Sequence, residues 1–452
     1  MASPADDDRR RRDLHGLRDR QGAREKRENR ENYVDPVRWP GVARLPEAPF
    51  LGRRAVNLQQ RLEDLTQDHG IALTPGASPR FVVDDGLMLD RVVDSGWLGL
   101  AEGYMAGEWT ADPLPEVLGV LLTQPLEGGF GRALSRRRRR VSGNVRAGDL
   151  PDALVDIYAG QTRATGAALF ASGTRTSEVE NPDQAGHHPP VSVRYFDAPT
   201  DPGLVDRADL DSAQRHRINA MLDEAQVGPG HRVLELPSSG GALPVMAAQR
   251  GAHVDVLTSD VEHAEQVRSV AHDAGVGGAV RVQTIRGPVP SPRQWSGTYD
   301  AVFSVERMET LGDDGTVHFL KAVERMLAAD GIAVIQSVVR AHGSDLPEET
   351  VAESLDVMRA YVWPAVAYPT DGHVLSQANR AGLCLTARNR MGSHYATTLG
   401  LWRSAFNARE RAAAAAGFDV VYRRLWNYQL ALHEALARAG ALDCEQFVFR
   451  RF

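Results

Sequence analysis

The residues best placed for chemistry stand at Glu235-Leu236-Pro237-Ser238-Ser239-Gly240-Gly241, where an apolar run ends in a carboxylate and turns through two hydroxyls into two glycines. Glycine lacks a Cβ, so a turn of this kind lets backbone come close to a ligand. Pro237 works against that use, because proline fixes φ near about −65° and removes an N–H donor. Two outcomes are open: a distorted loop that still cradles a ligand, or a strand-ending turn that cradles nothing. About 20 residues past such a loop, dinucleotide folds place a carboxylate against ribose hydroxyls. Thr258 and Asp260 stand there. An Asp that opens a helix is an equally ordinary reading of the same position.

These residues need strands to carry them. Residues 232–236, 253–258, 280–285, 301–305 and 332–339 are short apolar runs bounded by turn residues, as fully buried strands are. Helical patterns alternate with them. Ile218, Met221 and Leu222 share one face of a helix that Asp211 can cap and Val227-Gly228-Pro229-Gly230 stops. Phe319, Val323, Met326 and Leu327 line another, which Asp330-Gly331 is expected to end. This alternation predicts an α/β fold with a doubly wound, mostly parallel sheet. In such a sheet the ligand sits beyond the carboxyl ends of the strands, so the loops after Leu236, Thr258, Ile285 and Val305 are the edge to search.

The rest of the chain sorts by composition. Residues 1–40 are dense in Arg, Asp and Glu, and too poor in apolar residues to offset the entropy of ordering them, so a disordered tail is expected. Residues 41–135 mix short apolar runs such as Phe81-Val82-Val83 with helical spacing at Leu114, Val117, Leu118 and Leu121, as a small mixed domain does. A connection over 136–203 opens with five consecutive arginines at 136–140, and much of 171–203 is predicted as loop. The sheet domain fills 204–452. A net charge of −7 argues against nucleic acid as a partner. Cys384 and Cys444 form no CxxC pair, so neither a metal site nor a redox pair is expected. The chain has no stretch of about 18 uninterrupted apolar residues, and a soluble cytoplasmic protein is expected.

Several stretches resemble cyclopropane-fatty-acid synthases and the related bacterial enzymes that methylate unsaturated acyl chains of phospholipids. The similarity spans most of residues 95–452. It includes Gly99-Leu100-Ala101-Glu102-Gly103-Tyr104-Met105-Ala106-Gly107-Glu108-Trp109, Val233-Leu234-Glu235, Ser304-Val305-Glu306-Arg307-Met308-Glu309, His394-Tyr395-Ala396-Thr397-Thr398-Leu399, and the run from Gly417-Phe418 to Cys444-Glu445-Gln446. The resemblance implies a Rossmann-like methyltransferase that uses S-adenosylmethionine (SAM), with a lid insertion at about 341–390. It implies a cofactor site at Glu235, Ser238, Ser239, Gly240, Gly241, Thr258 and Asp260. It also implies an acyl site in which Glu309 and Tyr395 hold a bicarbonate that acts as base, with Gln336 and the backbone of Val338 nearby. Other readings stay open for two of these: Glu309 as an acid at a helix N-terminus, and Tyr395 as a buried aromatic with a satisfied hydroxyl.

The chain also departs from the family. Where its members look like E-x-G-x-G-x-G, Pro237 and Ser239 replace the first two glycines. No carboxylate lies between Asp273 and Asp300 to meet the adenine amino group. Residues 143–150 replace the H-Y-D-x-x-N block, Ala167 stands where some members carry Cys, and Ala365-Val366-Ala367-Tyr368-Pro369 replaces K-Y-I-F-P. The expectation is a divergent member, weakly active or a non-catalytic partner of an active homologous methyltransferase. The alternative is an active enzyme with an unusual loop. The arginine run suits phospholipid headgroups at the inner membrane face, or a solvated helix face.

Overall fold

The structure, a computed structural model, describes residues 34–47, 51–126, 150–171, 175–181, 191–197 and 205–452. The charged stretch 1–33, the arginine run 136–140 and residues 143–149 lie outside these. The chain divides into two compact units. Described residues up to 126 form the first together with 345–364 and 417–435; the second holds 150–344, 365–416 and 436–452.

In the first unit β1 (Arg80–Val83) pairs antiparallel with β2 (Trp109–Asp112), as the Phe81-Val82-Val83 run predicts. The helix Leu114–Leu122 buries Leu114, Val117, Leu118 and Leu121, the predicted face. Helices Leu87–Ser95 and Trp97–Ala106 meet so closely that a Cβ on Gly99 would lie 2.0 Å from the Arg91 carbonyl oxygen. Residues 34–40 correct the tail expectation. Val34 and Trp39 are buried, and Trp39 Nε1 donates to Asp419 at 2.9 Å. Two apolar side chains among charges are enough to anchor this segment.

The second unit is built on a nine-stranded sheet. Its strands are β3 (Arg175–Asn181), β4 (Val191–Asp197), β5 (Arg232–Glu235), β6 (His253–Thr258), β7 (Val280–Thr284), β8 (Tyr299–Val305), β9 (Leu327–Arg340), β10 (Leu383–Arg390) and β11 (Leu442–Arg451). They stand in the order β3-β4-β10-β11-β9-β8-β5-β6-β7. Strands β5 to β9 are parallel, while β11 runs antiparallel between β9 and β10. The five predicted strands are all present, and the fold is the expected doubly wound, mostly parallel Rossmann-like sheet.

Three local expectations are corrected. First, 171–203 contains β3 and β4; the alternating Val191, Val193 and Tyr195 are strand formers that the polar composition around them masked. Second, Asp211 does not cap its helix: the helix Leu210–Glu224 starts one residue earlier, a capping box on Asp206 precedes it, and Asp211 Oδ1 accepts from the Thr162 N–H at 2.8 Å. Third, Asp330-Gly331 lies inside β9, because the helix Gly312–Met326 has already stopped at Leu327. Gly331 serves a close approach instead. A Cβ there would stand 2.9 Å from the Tyr299 carbonyl oxygen, beside the register shift between β8 and β9. Among the described residues no helix is long and apolar enough to cross a membrane.

Candidate active site

Strand order reverses between β5 and β8, and in such sheets ligands bind beyond the carboxyl ends at that point. The loop after β5 carries the predicted glycine turn; the loop after β8 carries Glu309.

The β5 loop is turned inward. Glu235 is fully buried at the end of β5, and its Oε1 accepts from both the Ser239 N–H at 3.0 Å and the Ser239 hydroxyl at 2.6 Å. The Ser238 N–H donates to the Leu257 carbonyl, and the Gly240 N–H lies 3.5 Å from Ser238 Oγ. Burial pushes the Glu235 carboxyl above the usual range, the Ser239 bonds notwithstanding. Glu235 Oε2 is buried with no hydrogen-bond partner among the described residues. Gly240 (φ +117°) and Gly241 (φ +94°) both take the left-handed region that glycine tolerates. On Gly240 a Cβ would meet the Arg163 carbonyl oxygen at 2.1 Å, so backbone already fills the face that the missing Cβ opens. At the end of β6, Thr258 Oγ1 accepts from the Asp260 N–H, and Asp260 Oδ1 caps the helix Val261–Asp273 through the N–H groups of Glu262 and His263. The capping reading of Asp260 therefore holds, with the other carboxylate oxygen outside the cap.

The β8 loop gathers polar groups in a buried cluster. Glu309 sits in the short 3-10 turn Met308–Thr310, where its Oε2 accepts from Ser337 Oγ at 2.8 Å and its Oε1 from the Val338 N–H at 3.3 Å. It is buried, not an exposed helix-terminal acid. Burial, reinforced by the charge of Glu306, raises its pKa to about 8, against the opposing bonds. Tyr395, in the first turn of the helix Gly392–Ala408, is also buried. Desolvation holds its phenol well above the ordinary value, helped by Tyr368, Glu306, Cys444 and Glu309 within electrostatic reach. Gln336 on β9 donates through Nε2 to Glu306 Oε1 at 3.0 Å and accepts through Oε1 from Gln446 at 3.1 Å. The structure thus brings Glu309, Tyr395 and Gln336 into one cluster. A carboxyl that keeps its proton near neutral pH and a phenol that does not ionise are both hydrogen-bond donors, suited to a small oxyanion.

Sequence reasoning missed what ties the two loops together. One segment, 160–171, runs across both. The Thr165 N–H donates to the Ser239 carbonyl, and the Ala167 N–H donates to Glu306 Oε1 at 2.6 Å while the Ala167 carbonyl accepts from Gln336. Ala168 and Phe170 then donate to Thr398 Oγ1 and His394 Nδ1. Glu306 holds φ +47°, an uncommon place for a side-chain-bearing residue. Arg217 was missed as well. It is wholly buried, donates to Gln214 Oε1 and the Thr165 carbonyl, and feels the charges of Glu306 and Glu235. The signal was faint: Arg217 lies one turn before Met221 on the face of Ile218, but Arg215 and His216 beside it mask the pattern.

The fold is the Rossmann-like one that SAM-dependent methyltransferases share. The family model for mycolic acid cyclopropane synthetase matches residues 192–447, and the chain belongs to that family. By descent it is therefore grouped with SAM-dependent lipid methyltransferases. Among its relatives is the tuberculostearic acid methyltransferase UfaA1 of Mycobacterium tuberculosis, 28% identical over 448 residues, covering 92% of this chain and 96% of UfaA1. Cyclopropane mycolic acid synthase 1 of the same species is 24% identical over 249 residues, 54% of this chain and 85% of that protein. In fold the chain is similar to the cyclopropane synthase MmaA2 of M. tuberculosis, with a TM-score of 0.53 and 20% identity, covering 67% of this chain and 94% of MmaA2.

In the β5 loop few backbone donors are left for a ligand. Pro237 has no N–H, those of Ser238 and Ser239 are taken up inside the chain, and the approach to Gly240 is filled by Arg163.

Proposed function

We propose that the protein is an attenuated fatty-acyl methyltransferase, with a competent acid–base centre for unsaturated phospholipid acyl chains and a weakened SAM site. It would work as a weakly active or non-catalytic partner of an active lipid methyltransferase, peripheral to the membrane on its cytoplasmic side. The inward-bonded turn Pro237-Ser238-Ser239-Gly240 carries this reading. On the acyl side, the protonated Glu309 carboxyl and the Tyr395 phenol would each donate a hydrogen bond to a small oxyanion such as bicarbonate. Bound there, bicarbonate supplies the base for a proton lost from an alkylated acyl chain. Gln336 would steady Glu306, whose charge helps Glu309 hold its proton.

A second reading, a fully active SAM-dependent fatty-acyl methyltransferase, is favoured by Glu235 Oε2, a buried acceptor that a cationic ligand group would satisfy. Calorimetric titration with SAM, together with transfer of labelled methyl to unsaturated phospholipid, separates the two. The first predicts affinity far weaker than low micromolar and little or no transfer by the chain alone. Low-micromolar binding with sustained transfer would establish the second.

A further inference from the structure

At the amino ends of β5, β6 and β7, the edge of the sheet opposite the candidate active site, lies a groove of about 780 Å³. Its wall includes Arg232, His253, Arg268, His272 and Arg281, with Gly277 and Gly278 in the turn before β7. Asp255, the acid of the wall, is already committed: its carboxylate accepts from Arg281 Nε and Nη2 at 2.7 and 3.1 Å and from the Tyr299 hydroxyl at 2.7 Å. Arg281 is further fixed 4.8 Å over the ring of Trp295, and Arg268 by Glu265 and the Val282 carbonyl. Arg232 differs. Its guanidinium rests 5.3 Å over the Tyr299 ring and makes no hydrogen bond or ion pair among the described residues. The rings of His253 and His272 are exposed and likewise carry no hydrogen bond there, and neither do the N–H groups of Gly277 and Gly278. Open space faces Gly278. In a chain of net charge −7, one groove therefore concentrates positioned cations and spare donors.

We infer that this groove is a binding site for a phosphate group, carried by a soluble phosphate ester or by a phospholipid headgroup. A phosphate group has enough acceptor oxygens to use a guanidinium, imidazoles and spare backbone N–H groups together. The volume admits a ligand of nucleotide or headgroup size. The inference is independent of SAM binding, since the two sites lie at opposite ends of the strands.

The test titrates the full chain with inorganic pyrophosphate by calorimetry and measures flotation with phosphatidylglycerol vesicles against phosphatidylcholine vesicles. Wild type is compared with Arg232→Glu and with His253→Ala/His272→Ala, all exposed positions, after equal melting temperatures show that the variants fold. Saturable pyrophosphate binding that weakens about tenfold or more in Arg232→Glu supports the site and a soluble ligand. Selective flotation with phosphatidylglycerol, lost in the same variant, supports it with a lipid ligand. Binding of neither probe, or binding that all variants retain, overturns the inference.

Discussion

The β5 and β8 loops leave the same edge of the same sheet, yet they treat their polar groups in opposite ways. The β5 loop turns most of its polar groups on itself, with serine on glutamate, proline without a donor and the backbone of Arg163 against the glycine, and leaves Glu235 Oε2 without a partner among the described residues. In the β8 loop burial, reinforced by the charge of Glu306, holds the proton on Glu309 to about pH 8. Burying a carboxyl without a charge partner costs stability. On the proposed reading, the contrast sets a cofactor loop bonded largely within the chain against an acid cluster held at a cost in stability.

The sharpest way to break the comparison is Gly240→Ala. If the β5 loop is a closed structural turn, a Cβ at 2.1 Å from the Arg163 oxygen and at φ +117° should cost about 3 kcal/mol or more, read as a lower urea midpoint. An unchanged midpoint would mean that segment 160–171 moves aside freely. Next comes Glu309→Gln. The unfolded chain releases this proton near the ordinary value of 4.5, and the folded chain near 8. Below pH 4.5 both states hold the proton and stability is full. Between the two values only the unfolded state releases it, so wild-type stability falls as pH rises, by on the order of a few kcal/mol, and levels off above 8. Glu309→Gln removes that slope, so the variant should gain on wild type between pH 5 and pH 8; parallel unfolding curves at the two pH values would contradict it.

Pro237→Gly with Ser239→Gly sharpens the comparison from the other side. Releasing Glu235 from the 2.6 Å serine bond and restoring an N–H should tighten SAM binding about tenfold in calorimetry, without full catalysis. Unchanged affinity would place the defect elsewhere in the pocket. The smallest effect belongs to Asp260: replacement by Ala should lower stability by about 1 kcal/mol, and by Asn hardly at all, since either Asp or Asn can cap the helix. A large loss of SAM affinity in Asp260→Asn would restore its ribose role.

Much of this was legible in the sequence because buried parallel strands write themselves as apolar runs. The β6 boundaries agree residue for residue, and those of β5 and β7 are one residue shorter than expected. Asp211 and Gly331 misled because the same residue types serve helix ends and close packing alike, and only the partner decides. Pro237 and Ser239 stood out as substitutions in a known turn; that Ser239 would bond back to Glu235 depends on side-chain direction, which spacing does not encode. Glu306 stood in plain view within the 304–309 block. Its part in the cluster arises from a positive φ and from Ala167, 139 residues earlier, and no local pattern links them.

The stack of Arg281 on Trp295 has an optical consequence. The indole N–H donates to the Tyr299 hydroxyl at 2.7 Å while a guanidinium lies over the ring, so the emission of Trp295 depends on where that cation rests. An anion that draws Arg281 away would change the fluorescence of one of the seven tryptophans, and a Trp295→Phe difference spectrum would isolate it. The groove carries its own reporter, readable without label or antibody.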